Sequence, residues 1–193
     1  MAPQNLGRLR SFIIGMTGAV DRLADDEEAL IDAARGHLAA LISEDDWLGD
    51  AFAKPHPKYY QQYLLHCDPL ERFSLVSFVW GPGQRTPIHD HGVWGLVGML
   101  RGAEFSQAYS QRGQALEKGE RRRLEPGDIE ILRPSLGDIH AVSNAYEDRV
   151  SISIHLYGAN IGAVRRRVFD PQTGAEKPFV SGYASNVVPN LWG

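Results

Sequence analysis

The chain has 193 residues, 43% of them hydrophobic and 23% charged, with 20 Lys and Arg against 24 Asp and Glu for a formal net charge of -4. That length suits one sizeable core and argues against two full domains, the composition excludes a disordered or fibrous chain, and the acidic balance argues against a general nucleic-acid binder. Small-molecule chemistry is the function class that remains.

At the start, Arg8 and Arg10 precede an apolar stretch from Ser11 to Val20, the outline of a signal peptide. However, Leu6, Leu9, Ile13, Met16, Val20 and Leu23 recur at alternating steps of three and four, which predicts an amphipathic helix with one buried stripe. Asp25-Asp26-Glu27-Glu28 offers a carboxylate cap and negative charge to a second helix, whose face continues through Leu30, Ala34, Leu38 and Leu41. Ser43, followed by Glu44, Asp45 and Asp46, reads as a third helix start before Trp47 and Leu48. No apolar run approaches the ~20 residues needed to span a bilayer. A lone Cys67 forms no intramolecular disulfide and reads as a buried apolar thiol. A cytoplasmic protein without a membrane partner is expected.

From Pro55 the texture changes. Phe73 to Trp80, Val93 to Leu100, Glu104 to Tyr109, Ile129 to Leu132 and Val150 to Tyr157 are short β-type runs punctuated by Gly and Pro, with no helices between them. Such a series implies a mainly β, antiparallel sandwich or barrel. The expected organisation is a single domain over 1–193: a helical segment over 1–54, a β-barrel over 55–170, and a tail over 171–193 that wraps the surface.

His89 and His91 flank Asp90, and on an extended strand that spacing sends both imidazoles to one face, as a metal pincer requires. An isolated pair of this kind is more often incidental. Here, though, it lies in a series Gly83, His89, His91, Gly95, Gly102, followed by a second series Gly127, Pro134, Gly137, His140, Asn144. These two blocks resemble the paired motifs of the cupin superfamily, which implies a double-stranded β-helix (jelly-roll) barrel with metal ligands drawn from both. Where the first cupin motif commonly carries a Glu ligand this sequence has Gly95, so the implied metal shell is His89, His91 and His140 alone. Three neutral imidazoles leave a divalent ion its full charge and open positions for substrate, although imidazole suits Zn, Cu, Fe and Ni alike.

Ser153, His155 and Tyr157 alternate along one predicted strand and therefore share a face. Alone, they would be a polar face of an exposed strand. Together with Trp80-Gly81, Ile88-His89-Asp90-His91 and Gly137-Asp138-Ile139-His140, they resemble the thiol dioxygenase family, which includes cysteine dioxygenases and 3-mercaptopropionate dioxygenases. That resemblance implies Fe(II) on His89, His91 and His140, Tyr157 aimed at substrate or oxygen, and His155 and Ser153 orienting it. The implied partners are a small thiol and O2, with a sulfinic acid as product and no organic cofactor.

The segment Gly92-Val93-Trp94-Gly95-Leu96 holds no cysteine to cross-link Tyr157, as mammalian-type members do. Cysteine-using members also place an Arg shortly after a Tyr on an early strand. Here Tyr60-Gln61-Gln62 falls at that position, with Gln62 where the Arg would be, or Gln61 if the register slips by one. A Gln there resembles the 3-mercaptopropionate branch, with cysteine dioxygenase as the alternative and a non-catalytic metal- or ligand-binding cupin as a further one. In Val164-Arg165-Arg166-Arg167-Val168, alternation puts Arg166 on the valine face, where it would point toward the cavity to hold substrate or position Tyr157 while Arg165 and Arg167 are solvated; a wholly solvated Arg cluster is the equal alternative. Nothing in the sequence sets the oligomeric state.

Overall fold

A computed structural model describes residues 5–113 and 115–192. The chain opens with α1 (Leu6–Arg22) and α2 (Glu27–Ile42), and the Asp26 side chain accepts from the Ala29 N–H to cap α2. A single 3-10 turn, Asp50–Phe52, follows. The expected third helix start at Ser43 does not form. Instead Asp46 binds Arg8 and Asp45 binds Arg101, so both carboxylates tie the turn to neighbouring elements, and Trp47 is buried beneath it. The acidic run is tethering rather than capping. No helix among the described residues is long and apolar enough to cross a membrane.

Eleven strands follow: β1 (Gln61–Cys67), β2 (Ser74–Trp80), β3 (Ile88–His89), β4 (Gly95–Arg101), β5 (Glu104–Arg112), β6 (Ala115–Leu124), β7 (Ile129–Leu132), β8 (His140–Asn144), β9 (Ser151–Tyr157), β10 (Arg166–Phe169) and β11 (Glu176–Phe179). They form two antiparallel sheets, ordered β1-β2-β9-β4-β7 and β11-β10-β3-β8-β5-β6. The fold is the mainly β, double-stranded β-helix class with helices at its N-terminal end. The tail is more than a surface wrap, because β11 pairs with β10 along its length.

Strand alternation divides the five-stranded sheet between two cores. On β9, Ile152, Ile154 and Leu156 face the helices, while Ser151, Ser153, His155 and Tyr157 face the barrel interior. β2 does the same, with Leu75 and Val79 outward and Val76, Phe78 and Trp80 inward. A one-residue slip of β9 would send its polar row under the helices, so the apolar row pins the register of the polar one.

α2 crosses β4 at Gly98, where a Cβ would lie 2.9 Å from Ile42 Cδ1 and 3.2 Å from Leu38. Gly98→Val is therefore expected to destabilise the fold by about 1–3 kcal/mol through overpacking, read as a lower urea midpoint, with metal content intact. An unchanged midpoint would show that the helix–sheet contact is looser than the geometry implies.

Candidate metal centre

Two strands and one loop bring three imidazoles together. His89 ends β3 and pairs across the ladder with His140, the first residue of β8, while His91 lies just beyond β3. Each pair of rings has centroids 4.9 Å apart, and one ligand atom from each residue lies within 4.8 Å of the others. All three are buried or nearly so.

Each Nδ1 is engaged. His89 Nδ1 lies 3.1 Å from the Pro87 carbonyl, His91 Nδ1 3.3 Å from Asp138 Oδ2, and His140 Nδ1 3.2 Å from Ser106 Oγ, with Glu130 Oε2 at 3.8 Å. The carbonyl at His89 Nδ1 and the carboxylate at His91 Nδ1 can only accept, which fixes in both rings the tautomer that carries a lone pair on Nε2, the form a metal needs. His91 Nε2 is buried with no partner, an orphan that a divalent cation would satisfy. Burial first, then the neighbouring imidazoles, hold His89 and His91 well below the usual histidine pKa, so both are neutral donors. The residues fit a divalent transition metal.

Asp90, between the two histidines, is clamped by Arg167. The Arg167 backbone N–H donates to Asp90 Oδ1 at 2.8 Å and its Nε to Oδ2 at 2.7 Å. Arg167 is thus not simply solvated, as alternation implied, but holds the ligand loop to β10. Gly95 has a physical reason too. A Cβ there would sit 2.8 Å from Tyr157 Cδ1 and 3.3 Å from the Leu156 carbonyl oxygen, so the ring of Tyr157 fills the space a Glu ligand would need.

The polar row of β9 forms one continuous chain. Tyr157 OH lies 2.8 Å from His155 Nδ1, and His155 Nε2 lies 2.9 Å from Ser153 Oγ. Ser153 Oγ also receives the Trp80 Nε1–H at 3.0 Å and lies 2.8 Å from Glu104 Oε2. Phe78 stacks on His155 at 3.9 Å, and the Tyr157 ring stacks on His91 at 5.7 Å, which joins the chain to the metal centre. Burial holds His155 well below the ordinary histidine range and pushes Tyr157 well above the ordinary phenol value. Burial likewise pushes Glu104 up to about 8.

Beside His89 opens a cavity of about 280 Å³ whose walls include Tyr60, Gln62, Phe78 and Arg166. The two candidate glutamines separate here. Gln62 lines the cavity, whereas the Gln61 amide turns away and donates to the carbonyls of Tyr59 and Tyr60. Arg166 is 5% exposed, as the valine-face argument expects, and Arg165 is exposed. Arg166 Nη2 donates to Ser181 Oγ at 2.6 Å and its guanidinium lies over the Phe179 ring, yet its Nε is buried without a partner. No Asp or Glu is among the residues lining the cavity. Cys67 lies elsewhere, at the end of β1. It is half-buried with its thiol 3.6 Å from the Asp68 carbonyl, a more polar setting than the apolar burial expected of it.

Glu104, Asp138, Ser106 and Arg167 acquire their places only in three dimensions. Asp138 stands two residues before His140, the one local signal that would have flagged it. Glu104 and Ser106 share the inward face of β5, a face that looks like the solvent side in sequence because Phe105 and Tyr109 occupy the other.

The cysteine dioxygenase type I family model matches residues 29–170. A cysteine dioxygenase type 1 from Danio rerio is 28% identical over 134 residues, covering 67% of this chain and 64% of the relative. One from Bos taurus is 26% identical over 119 residues, covering 59% of this chain and 58% of that one. The match thus spans less than two thirds of these relatives' own length. A double-stranded β-helix protein of known structure from Klebsiella pneumoniae aligns over 72% of this chain and 93% of its own, at 16% identity and a TM-score of 0.48.

Proposed function

We propose that this chain, which belongs to the cysteine dioxygenase type I family, is a non-haem iron(II) thiol dioxygenase acting on a small thiol carboxylate, 3-mercaptopropionate foremost. The observation that carries this reading is the convergence of three imidazoles beside a tyrosine held by a buried hydrogen-bond chain. His89, His91 and His140 would hold the iron, which when bound would supply Lewis acidity toward a thiol and the redox chemistry that dioxygen requires. The conversion of R–SH plus O2 to R–SO2H balances atom for atom, so neither reductant nor organic cofactor enters.

The chain's own residues bind and orient. Arg166 offers an unpartnered guanidinium N–H to the substrate carboxylate, and Gln62 adds a neutral hydrogen bond from the same cavity wall. Tyr157 presents its hydroxyl to the reacting atoms, and His155 and Ser153 hold it in place. Val97, Met99 and Leu132 keep the barrel interior dry, which strengthens each of these contacts.

The cavity also supports the choice of substrate. Cysteine carries an ammonium group as well as a carboxylate, and that group would meet the Arg166 cation with no lining carboxylate to offset it. 3-Mercaptopropionate has no such group. Cysteine is the competing reading, favoured by the names of the curated relatives.

Purified protein is expected to carry about one iron per chain and to consume O2 with 3-mercaptopropionate, both labelled oxygen atoms appearing in the sulfinate. Its kcat/KM for 3-mercaptopropionate should exceed that for cysteine by at least about tenfold. Parity or a preference for cysteine would reassign the substrate. Bound iron with no oxygen uptake across a panel of thiols would favour a non-catalytic cupin.

A further inference from the structure

The hydroxyl of Ser153 has one hydrogen and two lone pairs, but three partners: Trp80 Nε1, His155 Nε2 and Glu104 Oε2. Trp80 can only donate. Of the remaining two, one must take the Ser153 hydrogen and the other must supply a hydrogen of its own. His155 is neutral and has a single ring N–H, so its two sides are linked in the same way.

Only two arrangements satisfy this count. If Glu104 is ionised it accepts from Ser153, Ser153 accepts from His155 Nε2–H, and His155 Nδ1 accepts the Tyr157 hydrogen. If Glu104 is the neutral acid, its proton finds a partner on Oε2 and none on the buried Oε1, so it donates from Oε2 to Ser153, Ser153 donates to His155 Nε2, and His155 Nδ1–H donates to the Tyr157 oxygen. In the second arrangement alone, the Tyr157 O–H is left to point toward the metal centre.

We propose that Glu104 is a positioning residue, held as a neutral carboxylic acid, whose proton sets the direction of the Glu104–Ser153–His155–Tyr157 chain and so releases the Tyr157 hydrogen toward substrate. The surroundings favour the neutral form. Glu104 is fully buried, its Oε1 has no partner, and its ladder neighbours are Leu124 on β6 and Asn144 on β8. Trp80 and Ser153 face it from β2 and β9, and the charge that acts on it is a second carboxylate, Glu130 of β7. An ionised Glu104 would lack any compensating charge in this list. Its displaced pKa, about 8, puts the reversal just above neutral pH. Tyr157 itself ionises far above that range, and His155 far below it.

The inference rests on the reading of Tyr157 as the group that faces substrate, and two of its three tests need no turnover. In the iron-loaded full chain at neutral pH, infrared spectra should contain the carbonyl stretch of a protonated carboxylic acid. Burial displaces the Glu104 pKa upward, and the Glu104→Gln variant assigns the band to it. The band should vanish with a midpoint near pH 8 and be missing in Glu104→Gln. Over the same range, the tyrosine ring doublet in the Raman difference between wild type and Tyr157→Phe should change from acceptor to donor character.

The third test is kinetic. Wild-type kcat/KM should fall about tenfold per pH unit above the midpoint. Glu104→Gln, which cannot ionise, should lose that fall. Ser153→Ala, which cuts the chain but spares Glu104, should keep the infrared band and also lose the fall. Absence of the band at neutral pH, a Raman doublet that does not change, or an alkaline fall retained in both variants would each overturn the proposal. A protein with the band and the doublet change but no oxygen uptake would instead overturn the thiol dioxygenase reading and leave the proton chain standing.

Discussion

Replacing His140 by Ala is expected to leave a folded protein that purifies nearly free of iron and oxidises thiols at least about a thousandfold more slowly. The bound follows from the outer partners, since loss of a group that merely orients a metal histidine costs about 10–100-fold in affinity or activity. Loss of one of three donors must exceed it. Ser106→Ala supplies that lower step on the same histidine, because it removes the hydroxyl 3.2 Å from His140 Nδ1 and leaves the donor in place. The two variants should therefore order as wild type, Ser106→Ala, His140→Ala in both iron per chain and turnover. His140 pairs with His89 and with Ala108 through its backbone, which Ala preserves, so an intact circular dichroism spectrum is part of the expectation. A His140→Ala protein that kept stoichiometric iron would remove His140 from the ligand set.

The clustering of His89, His91 and His140 was legible because its spacing is set by backbone periodicity: one two-residue step, and a second histidine block whose glycines and proline mark the turns around it. Ser153, His155 and Tyr157 were legible for the same reason, with Ile152, Ile154 and Leu156 interleaved to declare the other face. Glu104 was hidden because β5 inverts the usual rule. Its aromatic residues face outward, where Arg121 lies 3.9 Å over the Phe105 ring, and its polar residues face inward toward the site. A hydrophobic-in pattern therefore points the wrong way at the strand that ends the hydrogen-bond chain. β6 was hidden for a different reason. Ala115–Leu124 is exposed along nearly all its length, so no buried face imposes an apolar alternation on it.

The role of Gly95 also needed the third dimension. In sequence it is the absence of a ligand. In the fold it is the space into which Tyr157 packs, opposite it in the β4–β9 ladder. A side chain at position 95 and the ring of Tyr157 would compete for the same volume, so the tyrosine packs here because position 95 is a glycine.

Arg166→Met separates binding from folding more sharply than any other substitution in the cavity. Methionine keeps an unbranched stem against Phe179 and Val168 but removes the charge. If Arg166 grips the substrate carboxylate, kcat/KM for 3-mercaptopropionate should fall by roughly two to three orders of magnitude, the ~3–4 kcal/mol typical of truncating one partner of a buried charged pair. A thiol of similar length without a carboxylate, such as 2-mercaptoethanol, should react poorly with wild type and no worse with the variant. Stability should move the opposite way. Arg166 is buried with Ser181 as its one hydrogen-bond partner among the described residues, its Nε has none among them, and burial already pulls its pKa below the ordinary arginine value. Exchanging such a charge for an apolar side chain of similar length is expected to leave the substrate-free protein as stable as before, or more stable by about 1–2 kcal/mol. A structural arginine would show the reverse pair of results, a lower melting temperature and an equal loss with both thiols. If the reading holds, the cation costs stability in the empty fold and recovers it when an anion completes the site.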